Sequence, residues 1–124
     1  MNIAIVGATG NVGRKILEVL EKKELAIDNL YLLASSRSAG SKINFNGNEH
    51  EVIDLETFDF SKVKITFFAA GGKISENFAE IAAKHSLVID NSSFYRMDPD
   101  VPLIVPQVNS DHLNNIKKNI IANP

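Results

Sequence analysis

Apolar and polar positions alternate between two rhythms along this chain. Asn2–Val6 carries the run Ile3-Ala4-Ile5-Val6, as expected of a strand covered on both faces. From Asn11 to Lys23 the period changes. Val12, Ile16, Leu17, Val19 and Leu20 recur at helical spacing, and Arg14, Lys15, Glu18, Glu21 and Lys22 occupy the remaining positions. Leu30–Ala34 returns to a short apolar strand, followed by a Ser/Gly-rich loop, Ser35–Ser41. Lys42–Phe45 and Glu49–Ile53 flank Asn46-Gly47-Asn48, a hairpin signal. Lys64–Ala69 predicts another buried strand. Ser75–His85 predicts a helix with Ile74, Phe78, Ile81 and Ala82 on one side. Leu87–Asp90, Leu103–Val105 and Asn119–Ala122 are further strand candidates, with a helical turn at Asp111–Asn115 between the last two.

Strands that alternate with helices predict right-handed crossovers and a mostly parallel sheet. The expected class is α/β: a Rossmann-like, doubly wound sheet with helices on both faces. Ligands of such sheets sit beyond the carboxyl ends of the strands. The loops after Val6, Ala34, Ala69 and Asp90 should therefore line one crevice, and all four are rich in Gly, Ser, Asn or Arg.

Composition narrows the chemistry. The 124 residues suit one domain, 1–124. A net charge of -2 argues against nucleic acid as a main partner. No apolar run approaches the roughly 20 residues of a membrane span. The N-terminus enters a strand directly rather than a signal-peptide pattern, so a cytoplasmic protein is expected. There is no cysteine, which removes disulfides, thiolate metal sites and a cysteine nucleophile from these residues. His50, His85 and His112 are scattered without a partner at ligand spacing, so no metal is expected.

Gly7-Ala8-Thr9-Gly10-Asn11-Val12-Gly13 follows the first strand and opens the first helix. The spacing G-x-x-G-x-x-G is a variant of the dinucleotide fingerprint. Gly7 permits the tight turn, Gly10 lets backbone amides approach a pyrophosphate, and Gly13 lets the helix pack closely on the strand. Amides near Asn11 and Val12, with the helix dipole, favour an anion. A ligand-free strand-to-helix turn would look similar, but the flanking strand and amphipathic helix favour the dinucleotide.

An NAD site usually places Asp or Glu at the end of the second strand, to bond the ribose 2′-hydroxyl. Here that stretch is Ala34-Ser35-Ser36-Arg37-Ser38, with no acid. Arg37 offers a permanently charged fork suited to phosphate, and Ser36 and Ser38 add hydroxyls. NADP is therefore the expected cofactor; the alternative is a solvated Ser/Arg loop. Ala69-Ala70-Gly71-Gly72 would let a cofactor lie against the backbone, though a plain tight turn explains it nearly as well. Asp90-Asn91-Ser92-Ser93 ends another strand and Arg96 follows. Asp90 and Asn91 could cap the turn, and Arg96 could clamp a phosphate or carboxylate or be a surface charge.

Taken together, these segments resemble the N-terminal part of the bacterial aspartate-semialdehyde dehydrogenases across essentially the whole chain. The resemblance rests on Ile5 to Gly13, on Leu33-Ala34-Ser35-Ser36-Arg37-Ser38-Ala39-Gly40, on Ala70-Gly71-Gly72 and on Val88 to Ser93. It continues through Arg96-Met97-Asp98-Pro99-Asp100-Val101-Pro102-Leu103, Val105-Pro106 and Val108-Asn109 to Ile120-Ile121-Ala122-Asn123-Pro124. The Arg-Ser-Ala-Gly and Arg-Met-Asp-Pro segments are specific; the glycine fingerprint is not.

The resemblance implies NADPH-dependent reductive dephosphorylation of aspartyl β-phosphate to aspartate semialdehyde, on the route to lysine, threonine and methionine. It implies that Thr9, Gly10, Asn11 and Val12 hold the pyrophosphate and that Arg37 and Ser38 hold the 2′-phosphate. Gly71 and Gly72 would lie near the nicotinamide, and Arg96, with Asn91 beside it, would bind the substrate phosphate. In the family, Asn123-Pro124 is followed by Asn and the catalytic Cys, and a His base and the dimerisation surface lie later. The 124 residues alone are therefore expected to be inactive, and the full-length protein to be a homodimer or homotetramer. Lys73, Phe94 and Gln107 depart from the family pattern. A related reading is an N-acetyl-glutamyl-phosphate reductase, where the two specific segments favour the aspartyl enzyme. Another is a stand-alone NADP-binding module without catalysis.

Overall fold

The computed structural model describes residues 1–101 and 119–122. Six strands form one parallel sheet: β1 (Asn2–Val6), β2 (Asn29–Ala34), β5 (Ile53–Asp54), β6 (Ile65–Phe68), β7 (Leu87–Asp90) and β8 (Ile120–Ala122). Their spatial order is β5-β2-β1-β6-β7-β8. The chain thus starts in the middle, builds outward to one edge, then returns and builds outward to the other. That is the doubly wound order, and its reversal falls between β1 and β6.

β1 pairs with β2 from Asn2↔Asn29 to Val6↔Leu33, and with β6 from Ile3↔Ile65 to Val6↔Phe68. Because side chains alternate across a strand, β1 feeds two cores. Ile3 and Ile5 join Leu30, Leu32 and Ala34 under helix α1 (Asn11–Lys23), which contributes Leu17 and Leu20. Ala4 and Val6 join Leu33, Phe68, Val88 and Ile120 under helix α2 (Gly72–Ala83), which contributes Ala79 and Ala82. The two crossovers run in opposite directions across the sheet, so right-handed connections put their helices on opposite faces.

Coverage of the α1 face is uneven. Over β6 and β7, the residues Ile65, Phe67, Leu87 and Ile89 are only half-buried, while the alternate Thr66, Phe68, Val88 and Asp90 are fully buried. A groove of about 320 Å³ lined by Val12, Lys15, Ile16, Val19, Leu20, Phe67 and Asn91 runs between α1 and this half of the sheet.

Several elements differ from the sequence expectation. The hairpin closes as β3 (Lys42–Phe45) and β4 (Asn48–Glu51), with Asn46 and Gly47 both at positive φ in its turn. Ile53 is not part of that hairpin; it opens β5 and pairs with Leu33 in the main sheet. Two 3-10 turns, Leu55–Thr57 and Phe60–Lys62, fill the route to β6, capped by Asp54 and Asp59. The Ser61 hydroxyl and amide, with smaller help from nearby His85 and Lys62, hold the Asp59 carboxyl below its ordinary range. Helix α2 begins at Gly72 rather than Ser75, and ends at Ala83. The expected elements Leu103–Val105 and Asp111–Asn115 lie outside the described residues, as does Gln107.

Phe68 is fully buried at the sheet centre, stacked on Phe60 at 6.4 Å, whereas Phe67 faces the open groove. Phe68→Ala is expected to cost about 3–5 kcal/mol, and Phe67→Ala clearly less. Urea unfolding of both variants checks this; equal losses would contradict the uneven coverage.

Candidate functional site

The crevice at the strand-order reversal is built by backbone. Gly7 continues the β1 ladder, its amide bonding Leu33 O at 2.8 Å, and then turns with φ +88. A side chain there would sit 2.7 Å from the Ala69 carbonyl, so Gly7 lets the loop after β6 close against the loop after β1. Gly13 is tighter still: a Cβ on it would lie 2.1 Å from Gly7 O. Its absence brings the first turn of α1 directly onto the end of β1.

Gly10 caps α1 with no side-chain hydrogen bond, and the first turn contains no acid. The positive end of the helix dipole therefore faces the crevice without an internal carboxylate to neutralise it. Arg14, which by its spacing belongs to the polar face of α1, turns back and donates through Nε to Thr9 O at 3.1 Å. That bond ties the middle of the glycine loop to the helix it precedes.

A cleft of about 280 Å³ opens beside this loop, lined by Val6, Gly7 and Thr9 from the end of β1. Ala34, Ser35 and Ser38 from the end of β2, Ala70 and Ile74 after β6, and Leu55 after β5 complete it. Three of the four expected loops thus share one cavity. Leu55, Ile74, Ser35 and Arg14 were not among the residues expected at the site.

The loop after β2 is a series of turns tied to the hairpin. Ser38 and Ala39 amides bond Ser35 O, Gly40 N bonds Val52 O at 2.8 Å, and Val52 N bonds Ser41 O at 2.7 Å. Ser36 and Arg37 are exposed on it, and Ser38 is half-buried toward the cleft. Arg37 makes no ion pair with any described residue. The nearest strand-end acid is Asp54, paired beside Ala34, and its Oδ1 is occupied by the Glu56 amide at 3.0 Å.

On the other side, Gly71 caps α2 at φ +91, a conformation that suits glycine, and Gly72 approaches Phe94. Lys73 leans along the helix to Glu76 at 3.9 Å. Phe94 stands edge-on to Tyr95, with ring centres 4.8 Å apart. Arg96 is exposed in the same loop. Val12 and Asn91 line the groove on the α1 face rather than the cleft that holds Thr9 and Ser38. Asp90 is fully buried. Its Oδ1 accepts from Ser75 Oγ at 2.7 Å and the Ser92 amide at 3.0 Å, and its Oδ2 from Ser92 Oγ at 2.9 Å. No group of three or more metal-binding side chains occurs among the described residues, nor any helix long and apolar enough to cross a membrane.

A doubly wound sheet whose reversal point carries a glycine-rich loop and an acid-free helix N-terminus defines a dinucleotide-binding domain. The chain belongs to the semialdehyde dehydrogenase NAD-binding domain family, whose model matches residues 2–116. It is 47% identical to aspartate-semialdehyde dehydrogenase from Shewanella sp. (strain DB6705) and 50% identical to aspartate-semialdehyde dehydrogenase 2 from Vibrio cholerae. Each match covers 99% of this chain and 37% of the relative. The crystal structure of aspartate semialdehyde dehydrogenase II from Vibrio cholerae complexed with ASA superposes with a TM-score of 0.96 at 50% identity, over 99% of this chain and 41% of that one. The chain thus spans about two-fifths of the length of these relatives.

The contact between Gly13 and the Gly7 carbonyl gives a sharp expectation. Gly13→Ala forces α1 away from β1, costing toward the upper end of the ~1–3 kcal/mol typical of overpacking, and weakens dinucleotide binding in parallel. Urea unfolding and cofactor titration of the same variant test this; an alanine accepted without loss of either would refute the close approach.

Proposed function

We propose that this chain is the NADP-binding part of an aspartate-semialdehyde dehydrogenase. The whole protein would carry out NADPH-dependent reductive dephosphorylation of aspartyl 4-phosphate to aspartate semialdehyde, in the biosynthesis of lysine, threonine and methionine. The observation that carries the cofactor assignment is the ordered, acid-free loop Ser35–Ser41 at the rim of the cleft, with Arg37 unpaired by any described carboxylate. The names of the relatives support the aspartyl substrate over the N-acetyl-glutamyl one and over a module without catalysis. A cytoplasmic location and a homodimeric or homotetrameric whole protein belong to the same reading, with neither nucleic acid nor membrane as partner.

The residues present fit the cofactor: Gly7 and Gly13 let the ends of β1, α1 and β6 close together, while Gly10 at the helix cap stays open, a Cβ there meeting only Gly7 O at 3.5 Å. Thr9, Gly10, Asn11 and Val12 would present amides and the α1 dipole to the pyrophosphate. Ser36, Arg37 and Ser38 would receive the 2′-phosphate, Arg37 through a charge-assisted fork. Gly71 and Gly72 would let the nicotinamide end lie against backbone. Bound there, the cofactor supplies the hydride. Arg96 would hold the phosphate of the substrate, with Asn91 in the same loop. The nucleophile would be a cysteine outside these 124 residues, so the chain by itself should bind cofactor and turn nothing over.

Fluorescence titration of the 124-residue chain with NADPH and NADH tests the assignment. NADPH should bind more tightly, and Arg37→Ala should shrink the difference about tenfold, as expected for loss of a hydrogen bond to a charged group. Equal affinity of the unsubstituted chain for both dinucleotides would sink the 2′-phosphate pocket.

A further inference from the structure

We propose that Asp90 is a positioning residue for the oxyanion-binding loop: its buried carboxylate sets residues 91–96 in register with the first turn of α2. The inference rests on the reading of Arg96 as a substrate-phosphate ligand. A buried carboxylate needs compensation, and the donors to Asp90 among the described residues are all neutral. They come from two different elements. Ser75 lies one turn inside α2 and bonds back to the helix cap, its amide meeting Gly71 O at 3.2 Å. Ser92 opens the loop after β7 and uses both its amide and its hydroxyl on the carboxylate.

A simple turn cap would need only one acceptor oxygen. Here two donors converge on Oδ1 and a third on Oδ2, and only a carboxylate accepts at both oxygens. Asparagine would present an NH₂ to one of these donors. The Ser92 hydroxyl, which also accepts the Phe94 amide at 3.2 Å, would then lose its acceptor at Oδ2 and have to turn its proton away from residue 90. The chain of contacts then runs on toward the ligand. Ser92 orients Phe94, whose Cβ lies 3.8 Å from where a side chain on Gly72 would begin. The turn from Ser93 to Arg96 closes through the Arg96 amide at 3.3 Å. The Asn91 amide continues the sheet ladder to Phe68 O at 2.9 Å, so the loop is fixed at its root as well. One carboxylate is therefore the common reference for the backbone at Gly71-Gly72 and for the loop that ends in Arg96.

Amide NMR of the 124-residue chain, titrated with inorganic phosphate and separately with NADPH, tests this. Arg96→Ala is the reference and should abolish the phosphate response of residues 91–96. Ser92→Ala should weaken phosphate at least about fivefold, since misplacing a binding group by an ångström or less has large effects. Its NADPH affinity should stay within about twofold, because the glycine cradle is untouched, and Ser92→Thr, which keeps the hydroxyl, should restore phosphate binding. Asp90→Asn should repeat the Ser92→Ala pattern if it folds; Ser92→Ala decides the matter if it does not. Unchanged phosphate affinity in Ser92→Ala, with only a lowered melting temperature, would make Asp90 a packing residue and overturn the inference. So would NADPH binding by the unsubstituted chain without any phosphate response. A phosphate response that survives Arg96→Ala, or a failure to bind NADPH, would instead undo the functional reading beneath it.

Discussion

The site depends on a contact between two pieces of backbone. Where Gly13 meets the Gly7 carbonyl, the absence of a Cβ lets the start of α1 rest on the end of β1. That approach aims the helix N-terminus into the crevice. It also leaves space at Gly7 for the loop after β6, whose Ala69 carbonyl would otherwise collide with a side chain. Dispersion and burial then act on the rest: Leu17 and Leu20 can reach Ile3, Ile5 and Leu32 only because the helix axis is held this close. The close approach is thus produced by omission of atoms, and it leaves the positive end of the α1 dipole, with no acid in its first turn, at the mouth of the loop.

The loops after β2 and after β7 are fixed by different physics. On the β2 side, a run of turns hangs on backbone bonds to Val52, so the hairpin acts as a strut for the loop that carries Ser36 and Arg37. On the β7 side, a buried carboxylate with three neutral donors does the equivalent work. Every buried side-chain polar atom among the described residues has a partner. Buried polar groups thus fix these loops, and Arg37 and Arg96 stay exposed on them.

Much of this was legible in the residues. β1 and α1 were readable to the residue, because a short β-branched run that stops at a glycine reads as a strand and a sustained 3.6 period as a helix. The glycine loop was readable because its spacing reports a steric need. β5 was not: two residues carry no period, and what places Ile53 is its pairing with Leu33. Leu55 therefore could not be assigned to the cleft from its neighbours in sequence. Arg14 looked like any solvent-facing helix charge, since its turn toward the Thr9 carbonyl depends on three-dimensional proximity. The start of α2 is hidden in the sequence because glycines are poor helix formers; Gly71 at positive φ nonetheless caps a helix that begins at Gly72. Asp90 was readable as a turn cap, but its reach to Ser75 was not, because that bond joins separate elements.

The placement of β1 between β2 and β6 has a kinetic side. Ile3 pairs with Leu30 on one flank and with Ile65, half the chain's length further on, on the other. The glycine loop and its helix can form as soon as β2 is available. The opposite wall needs a much longer loop closure, which is entropically later. During synthesis, a nascent chain that has released only β1, α1 and β2 would hold a half-built cradle, with its β6 flank still an unpaired strand edge. The β1–β6 pairing at the centre of the sheet thus spans a longer stretch of chain than any other pairing in it among the described residues.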